Sequence, residues 1–153
     1  MAEETNQIRV RLVTPERTLL ESDAAAVELP SKSGYMEVLY GHAPLMAELG
    51  AGDVTVHGAA KREGAAEGSS SDSLTRYNVS WGFVEVLPNR VTILASDALK
   101  PEEIDVQRAE QQLDRGLKLW KEAGESEDAY TEALRVISEA EAKMASAAEV
   151  EKH

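Results

Sequence analysis

The chain has no cysteine, a single phenylalanine and few basic residues. Without cysteine there are no disulfide frameworks, thiolate metal sites or cysteine nucleophiles. No stretch of about 18 apolar residues occurs, so direct membrane insertion is not expected and any membrane association must run through another protein. Sixteen Lys and Arg stand against 28 Asp and Glu, for a net charge of -12. Such a surface repels phosphate backbones and anionic headgroups, which argues against nucleic acid as a partner. Aromatic residues make up only 5%, so the core must be built mainly from Val, Leu, Ile and Ala. The opening residues, Met1 to Gln7, are polar and acidic, unlike the basic and apolar regions of a secretory leader.

Catalytic motifs are missing as well. No phosphate-binding loop is present, since no Gly-Lys-Ser/Thr follows Gly58 or Gly64. No Gly-x-Ser-x-Gly elbow is present. His42, His57 and His153 lie far apart without ligand-like spacing, so neither a metal site nor an enzyme is expected. His57, in an alternating run, reads as a surface strand residue.

What is present changes character near residue 97. From Ile8 onward the chain reads as short β segments: Ile8 to Val13, Thr18 to Glu21, Ala25 to Leu29, Tyr35 to Leu39, Asp53 to His57, Tyr77 to Trp81, Phe83 to Leu87 and Val91 to Ala95. Many short, closely spaced strands predict a β-sandwich over residues 1–97. Residues 58–73, rich in Gly, Ala, Ser and charge, have no apolar periodicity and read as a long mobile hairpin loop.

Pro101 followed by Glu102 and Glu103 predicts a helix start, and Ile104, Ala109, Leu113, Leu117 and Trp120 recur at helical spacing as far as Gly124. Ser126 is placed to cap a second helix, whose Tyr130, Ala133, Ile137, Ala140, Met144 and Ala147 form one narrow seam. Residues 98–153 should therefore form an antiparallel two-helix hairpin, with Leu113, Leu117, Ile137 and Met144 buried. From Glu125 onward eight acids face three Lys and Arg. That repulsion, together with an alanine-rich seam, points to a weakly held second helix able to act as a regulatory arm.

Six motifs recur in order: Leu12-Val13-Thr14-Pro15-Glu16-Arg17; Leu29-Pro30 with Gly34; Gly41-His42-Ala43-Pro44-Leu45; Trp81-Gly82-Phe83-Val84-Glu85-Val86; Val91-Thr92-Ile93-Leu94-Ala95; and Ile104-Asp105-Val106-Gln107-Arg108-Ala109. Together they resemble the epsilon-subunit family of F-type ATP synthases from Ile8 to about Ala147. The resemblance implies a flattened N-terminal β-sandwich followed by a C-terminal helical hairpin, the same fold that the residue pattern predicts. It implies a non-catalytic central-stalk role in a proton- or sodium-translocating synthase, peripheral on the cytoplasmic side of the inner membrane. The sandwich would bind the gamma subunit and the c-ring. The hairpin would fold down, or extend into the alpha/beta catalytic hexamer and block hydrolysis.

By the same resemblance, Gly34, Tyr35, Gly41 and His42 are expected partner contacts, although Tyr35 and Tyr40 stand where many members carry an acid and a proline. Asp105, Arg108, Ala109 and Arg115, with Lys143, match positions that bind one ATP in some members. From the residues alone, Asp105 and Arg108 read as an ordinary surface ion pair at i and i+3. Leu99 and Glu139 replace an acid and an arginine of the tight binders, so no cofactor and at most weak ATP binding are expected. The rival reading is a free-standing nucleotide-sensing adaptor module of the same fold.

Overall fold

The computed structural model describes residues 6–58 and 74–151. Apart from Gly58, the loop expected over 58–73 lies outside the described residues, as does His153. The chain divides into two compact units, Met1–Ala98 and Leu99–His153.

Among the described residues the first unit holds seven strands: β1 Ile8–Val13, β2 Thr18–Ala24, β3 Ala26–Ser31, β4 Gly34–Leu39, β5 Leu45–His57, β6 Leu74–Leu87 and β7 Arg90–Leu99. They form one ladder in the order β2-β1-β7-β6-β5-β3-β4. Strands in a sheet lie about 4.8 Å apart, so a flat ladder would hold its two edges about 29 Å apart. Yet Val10 and Leu12 of β1 share one buried cluster with Val27, Leu29 and Val38 of β3 and β4. The Tyr77 hydroxyl of β6 also donates to the Leu19 carbonyl of β2 at 3.3 Å. The ladder is therefore folded over on itself as a β-sandwich with the core between its layers. Alternation supplies that core: in β1, Ile8, Val10 and Leu12 are buried while Arg9 and Arg11 are exposed. Each fully buried Val or Leu side chain contributes about 1.5–3 kcal/mol.

Two features let the sheet fold over. Between β2 and β3 stands only Ala25, whose N–H donates to the His57 carbonyl at 2.9 Å, so the chain passes within one residue from one edge of the ladder to the strand next to its other edge. The ladder of the long strands β5 and β6 is interrupted at Gly50 and Trp81, between the pairs Leu49–Gly82 and Ala51–Ser80, where Trp81 takes φ 57° and Gly82 φ 129°. A Cβ on Gly82 would collide with the Leu94 carbonyl oxygen. Hence the two segments expected at Tyr77–Trp81 and Phe83–Leu87 are one strand. The segment expected to begin at Asp53 instead begins at Leu45, because pairing with β6 runs on past Gly50 and Gly52.

In the second unit, α1 spans Val106–Glu122 and α2 spans Glu127–Glu151. The helix expected from Pro101 is only a single 3-10 turn, Pro101–Glu103. Ile104 and Asp105 are extended, and the Asp105 carboxylate accepts from the Arg108 N–H at 3.2 Å, so α1 starts afresh with Asp105 as its N-cap. The second cap matches expectation, since Ser126 Oγ accepts from the Ala129 N–H at 3.2 Å. At the end of α1, Gly124 takes φ 57°, the left-handed conformation of a helix C-terminal glycine.

The seam departs from the expected one. Ala109, Gly116 and Ala123 of α1, at seven-residue spacing, are buried, as are Ala133, Val136, Ala140 and Ala147 of α2. A Cβ on Gly116 would stand 2.7 Å from Ile137 Cγ1 and 3.1 Å from Val136 Cγ1. Small residues thus bring the helix backbones close together and push the larger side chains off the seam. Leu117, expected in it, is 42% exposed, and Leu113, Ile137 and Met144 are only partly buried.

Candidate partner interface

Of the expected partner contacts, Gly34 and Tyr35 open β4, while Gly41 and His42 follow it. The strand runs fully paired to β3, from Ser31 opposite Gly34 to Ala26 opposite Leu39. At about 3.4 Å per residue, those five steps hold the two sets about 17 Å apart. They bracket the strand and do not form a single loop cluster.

Gly34 adopts φ 131°, a conformation that favours glycine, and its carbonyl accepts from Ser31 Oγ at 2.6 Å. Tyr35 is 60% exposed but fixed at its tip, where its hydroxyl accepts from the Asp53 N–H at 3.0 Å. A Cβ on Gly52 would take the place of that hydroxyl, so the missing side chain in β5 makes room for the ring end. Asp53 in turn accepts from Asn78 Nδ2 at 3.1 Å.

At the other end, Gly41 takes φ 86° and donates its N–H to the Pro88 carbonyl at 2.7 Å, which ties this loop to the turn between β6 and β7. The His42 N–H donates to the Leu39 carbonyl at 3.2 Å. Its Nδ1 lies 2.7 Å from the Ala43 carbonyl, a geometry that requires Nδ1 to carry the proton and leaves Nε2 for an outside partner.

An apolar row that the strand pattern did not single out lies on β5, β6 and β7. Met46 is 69% exposed, Phe83 53% and Leu94 51%. Met46 pairs with Glu85 and Glu48 with Phe83, which puts Met46 and Phe83 on one face as diagonal neighbours. Leu94 points away from the core, since Ile93 and Ala95 on either side of it are buried. Exposed apolar side chains on three neighbouring strands make this face a candidate contact surface. The sequence carried a signal for it: Phe83 is the only phenylalanine, and Leu45-Met46 breaks the alternation of β5.

The expected nucleotide-site residues are used within the hairpin. Asp105 caps α1 through the backbone of Arg108, and no ion pair joins the two side chains among the described residues, so the surface ion pair expected there is replaced by a helix cap. Ala109 is buried in the seam and Arg115 is exposed. Lys143 pairs with Glu139 at 3.2 Å, with side chains only 16% and 23% exposed. Nearby on α2, Ser146 is buried and its hydroxyl has no hydrogen-bond partner among the described residues.

Residues 7–101 match the family model described as ATP synthase, Delta/Epsilon chain, beta-sandwich domain. An ATP synthase epsilon chain of Koribacter versatilis is 41% identical over 103 residues, 65% of this chain and 62% of that one. The ATP synthase epsilon chain of Solibacter usitatus is 36% identical over 141 residues, 92% of this chain and 95% of that one. That of Moorella thermoacetica is 41% identical over 115 residues, 75% and 78% of the two chains. Among solved structures, a chain of the Euglena gracilis mitochondrial ATP synthase (OSCP/F1/c-ring) superposes with a TM-score of 0.70. It is 22% identical and the match covers 99% of this chain and 85% of that one, a likeness of fold.

Proposed function

This chain belongs to the family of bacterial F-type ATP synthase epsilon chains, and we propose that it is the non-catalytic central-stalk subunit that couples the rotor ring to the catalytic head and modulates ATP hydrolysis. The observation that carries the reading is the exposed row of Met46, Phe83 and Leu94 on a folded sheet. Three solvent-facing apolar side chains do no work for a monomer, whereas a neighbouring stalk subunit would bury them. The gamma subunit is the partner proposed for this face. Gly34, Tyr35, Gly41 and His42, around β4, supply further contacts to gamma and the c-ring. The association is peripheral, on the cytoplasmic side of the inner membrane, through these partners; among the described residues no helix is long and apolar enough to cross a membrane.

The hairpin is the regulatory element, reaching the alpha/beta hexamer when extended. Its seam of alanine and glycine buries little apolar area per residue, and α2 carries acids at Glu127, Asp128, Glu132, Glu139, Glu141 and Glu149. These features favour feeble inhibition, because a helix with so few basic side chains and so little apolar area has little to hold it in the head. Tight ATP binding is not part of the proposal. Lys143 is engaged with Glu139, and that carboxylate would repel a triphosphate.

The test is to add the chain to an epsilon-depleted synthase and to follow proton- or sodium-coupled synthesis together with hydrolysis. Restored coupling supports the reading, and the hydrolysis rate reports how strongly the hairpin inhibits. A chain that leaves both unchanged would refute it.

A further inference from the structure

The folded ladder leaves two free edges, β2 and β4, and they are built differently. On β2, Glu21 and Asp23 are held by Arg9 of β1 at 3.5 and 3.4 Å, and the β1–β2 register slips between Leu12 and Val13. Charge and irregularity of that kind discourage pairing with a foreign strand. In contrast, β4 pairs with β3 along all six of its residues without a bulge, contains no proline or lysine, and exposes Tyr35 and Leu39. Among the described residues its outer side is engaged only at its far end, where the Leu39 carbonyl accepts from the His42 N–H at 3.2 Å, and the backbone of Tyr35 and Glu37 is left without a strand neighbour.

Charge indicates what that edge would accept. Glu37, midway along β4, lies directly opposite Glu28 of β3, and like charges in that position repel. Glu28 has His57 Nε2 at 3.9 Å, while Glu37 forms no ion pair among the described residues. A strand added outside β4 would place one side chain beside Glu37, with the residues two positions to either side next to Tyr35 and Leu39. A lysine or arginine at the centre would relieve the repulsion, and apolar residues at the flanks would cover the two exposed side chains.

We infer that the free edge of β4 receives an extended segment of the gamma subunit, with a basic residue opposite Glu37 and apolar residues opposite Tyr35 and Leu39. The inference rests on the proposed stalk role and adds to it a site and a mode of binding. It also accounts for why the contacts expected at Gly34, Tyr35, Gly41 and His42 bracket this strand.

The test compares amide hydrogen exchange of the full chain, free and bound to the gamma subunit of its own organism. Alternate amides between Gly34 and Leu39 should slow by at least about tenfold in the complex, as paired strand amides do. The variant Glu37→Lys removes the repulsion from Glu28, so its melting temperature should be equal to or above that of the parent. Its affinity for gamma should fall by about tenfold or more, as expected for a charge reversal inside a contact. Slowed β4 amides and weakened binding by a stable Glu37→Lys chain support the inference. If gamma binds while the β4 amides exchange as before, or if Glu37→Lys binds as tightly as the parent, the strand-addition site is wrong and the stalk role stands. If gamma does not bind at all, the stalk role itself fails and the site falls with it.

Discussion

Replacing Gly116 by alanine tests how closely the two helices approach. In an exposed helix interior that change stabilises by about 1 kcal/mol, because alanine loses less backbone entropy and shields the helix. Here the new Cβ would stand 2.7 Å from Ile137 Cγ1, 3.1 Å from Val136 Cγ1 and 3.2 Å from the Ile137 backbone nitrogen. Ile137 Cγ1 has some freedom to move, but the backbone nitrogen moves only if α2 moves. Overpacking of this kind costs about 1–3 kcal/mol, so the net expectation is a hairpin less stable by about 0–2 kcal/mol. Gly116→Val adds two methyl groups at the same place and lacks alanine's helix propensity, so it should destabilise further. Because the chain has two units, the effect should be read locally, from exchange of α1 and α2 amides, with the sandwich amides as internal reference. A Gly116→Ala chain whose hairpin gains the full 1 kcal/mol or so of an exposed site would refute the close approach.

Three further outcomes follow from single contacts. Asp105→Ala removes the α1 cap and should destabilise that helix by about 1 kcal/mol, whereas Asp105→Asn should lose much less; exchange of the first-turn amides separates the two. Ser146→Ala removes a buried hydroxyl without a partner and should leave the hairpin equally stable or more stable by about 1 kcal/mol, as read by urea unfolding. The combined change Met46→Ser, Phe83→Ser and Leu94→Ser should shift sandwich stability by no more than about 0.5 kcal/mol per site, since all three face solvent. The same triple variant should weaken gamma binding in calorimetry at least tenfold, on the order of 1.4 kcal/mol.

Much of this architecture was legible because periodicity follows burial. In β1, Ile8, Val10 and Leu12 alternate with arginines because one face meets the core, and the sequence shows it directly. Ser126 and Gly124 announced the loop between the helices through capping chemistry that depends on local backbone alone. The errors lie where distant parts of the chain decide. Gly82 looked like a strand end, yet it is glycine because the Leu94 carbonyl fills the space of a side chain, and that neighbour arrives from the next strand. Leu117 and Trp120 follow Leu113 at steps of four and three but lie off the seam, because Gly116 lets α2 settle beside it. In the candidate interface, Gly41 and His42 stood out by residue type. The row of Met46, Phe83 and Leu94 did not, since its three members sit on three strands and become neighbours only once the sheet forms.

A stalk subunit whose sandwich binds a neighbour should co-purify with the gamma subunit of the same organism, with the stoichiometry read by mass. The expected result is a one-to-one complex that the Met46, Phe83 and Leu94 triple variant fails to form while remaining folded. A chain that elutes alone in the presence of folded gamma, or a triple variant that binds as well as the parent, would contradict it.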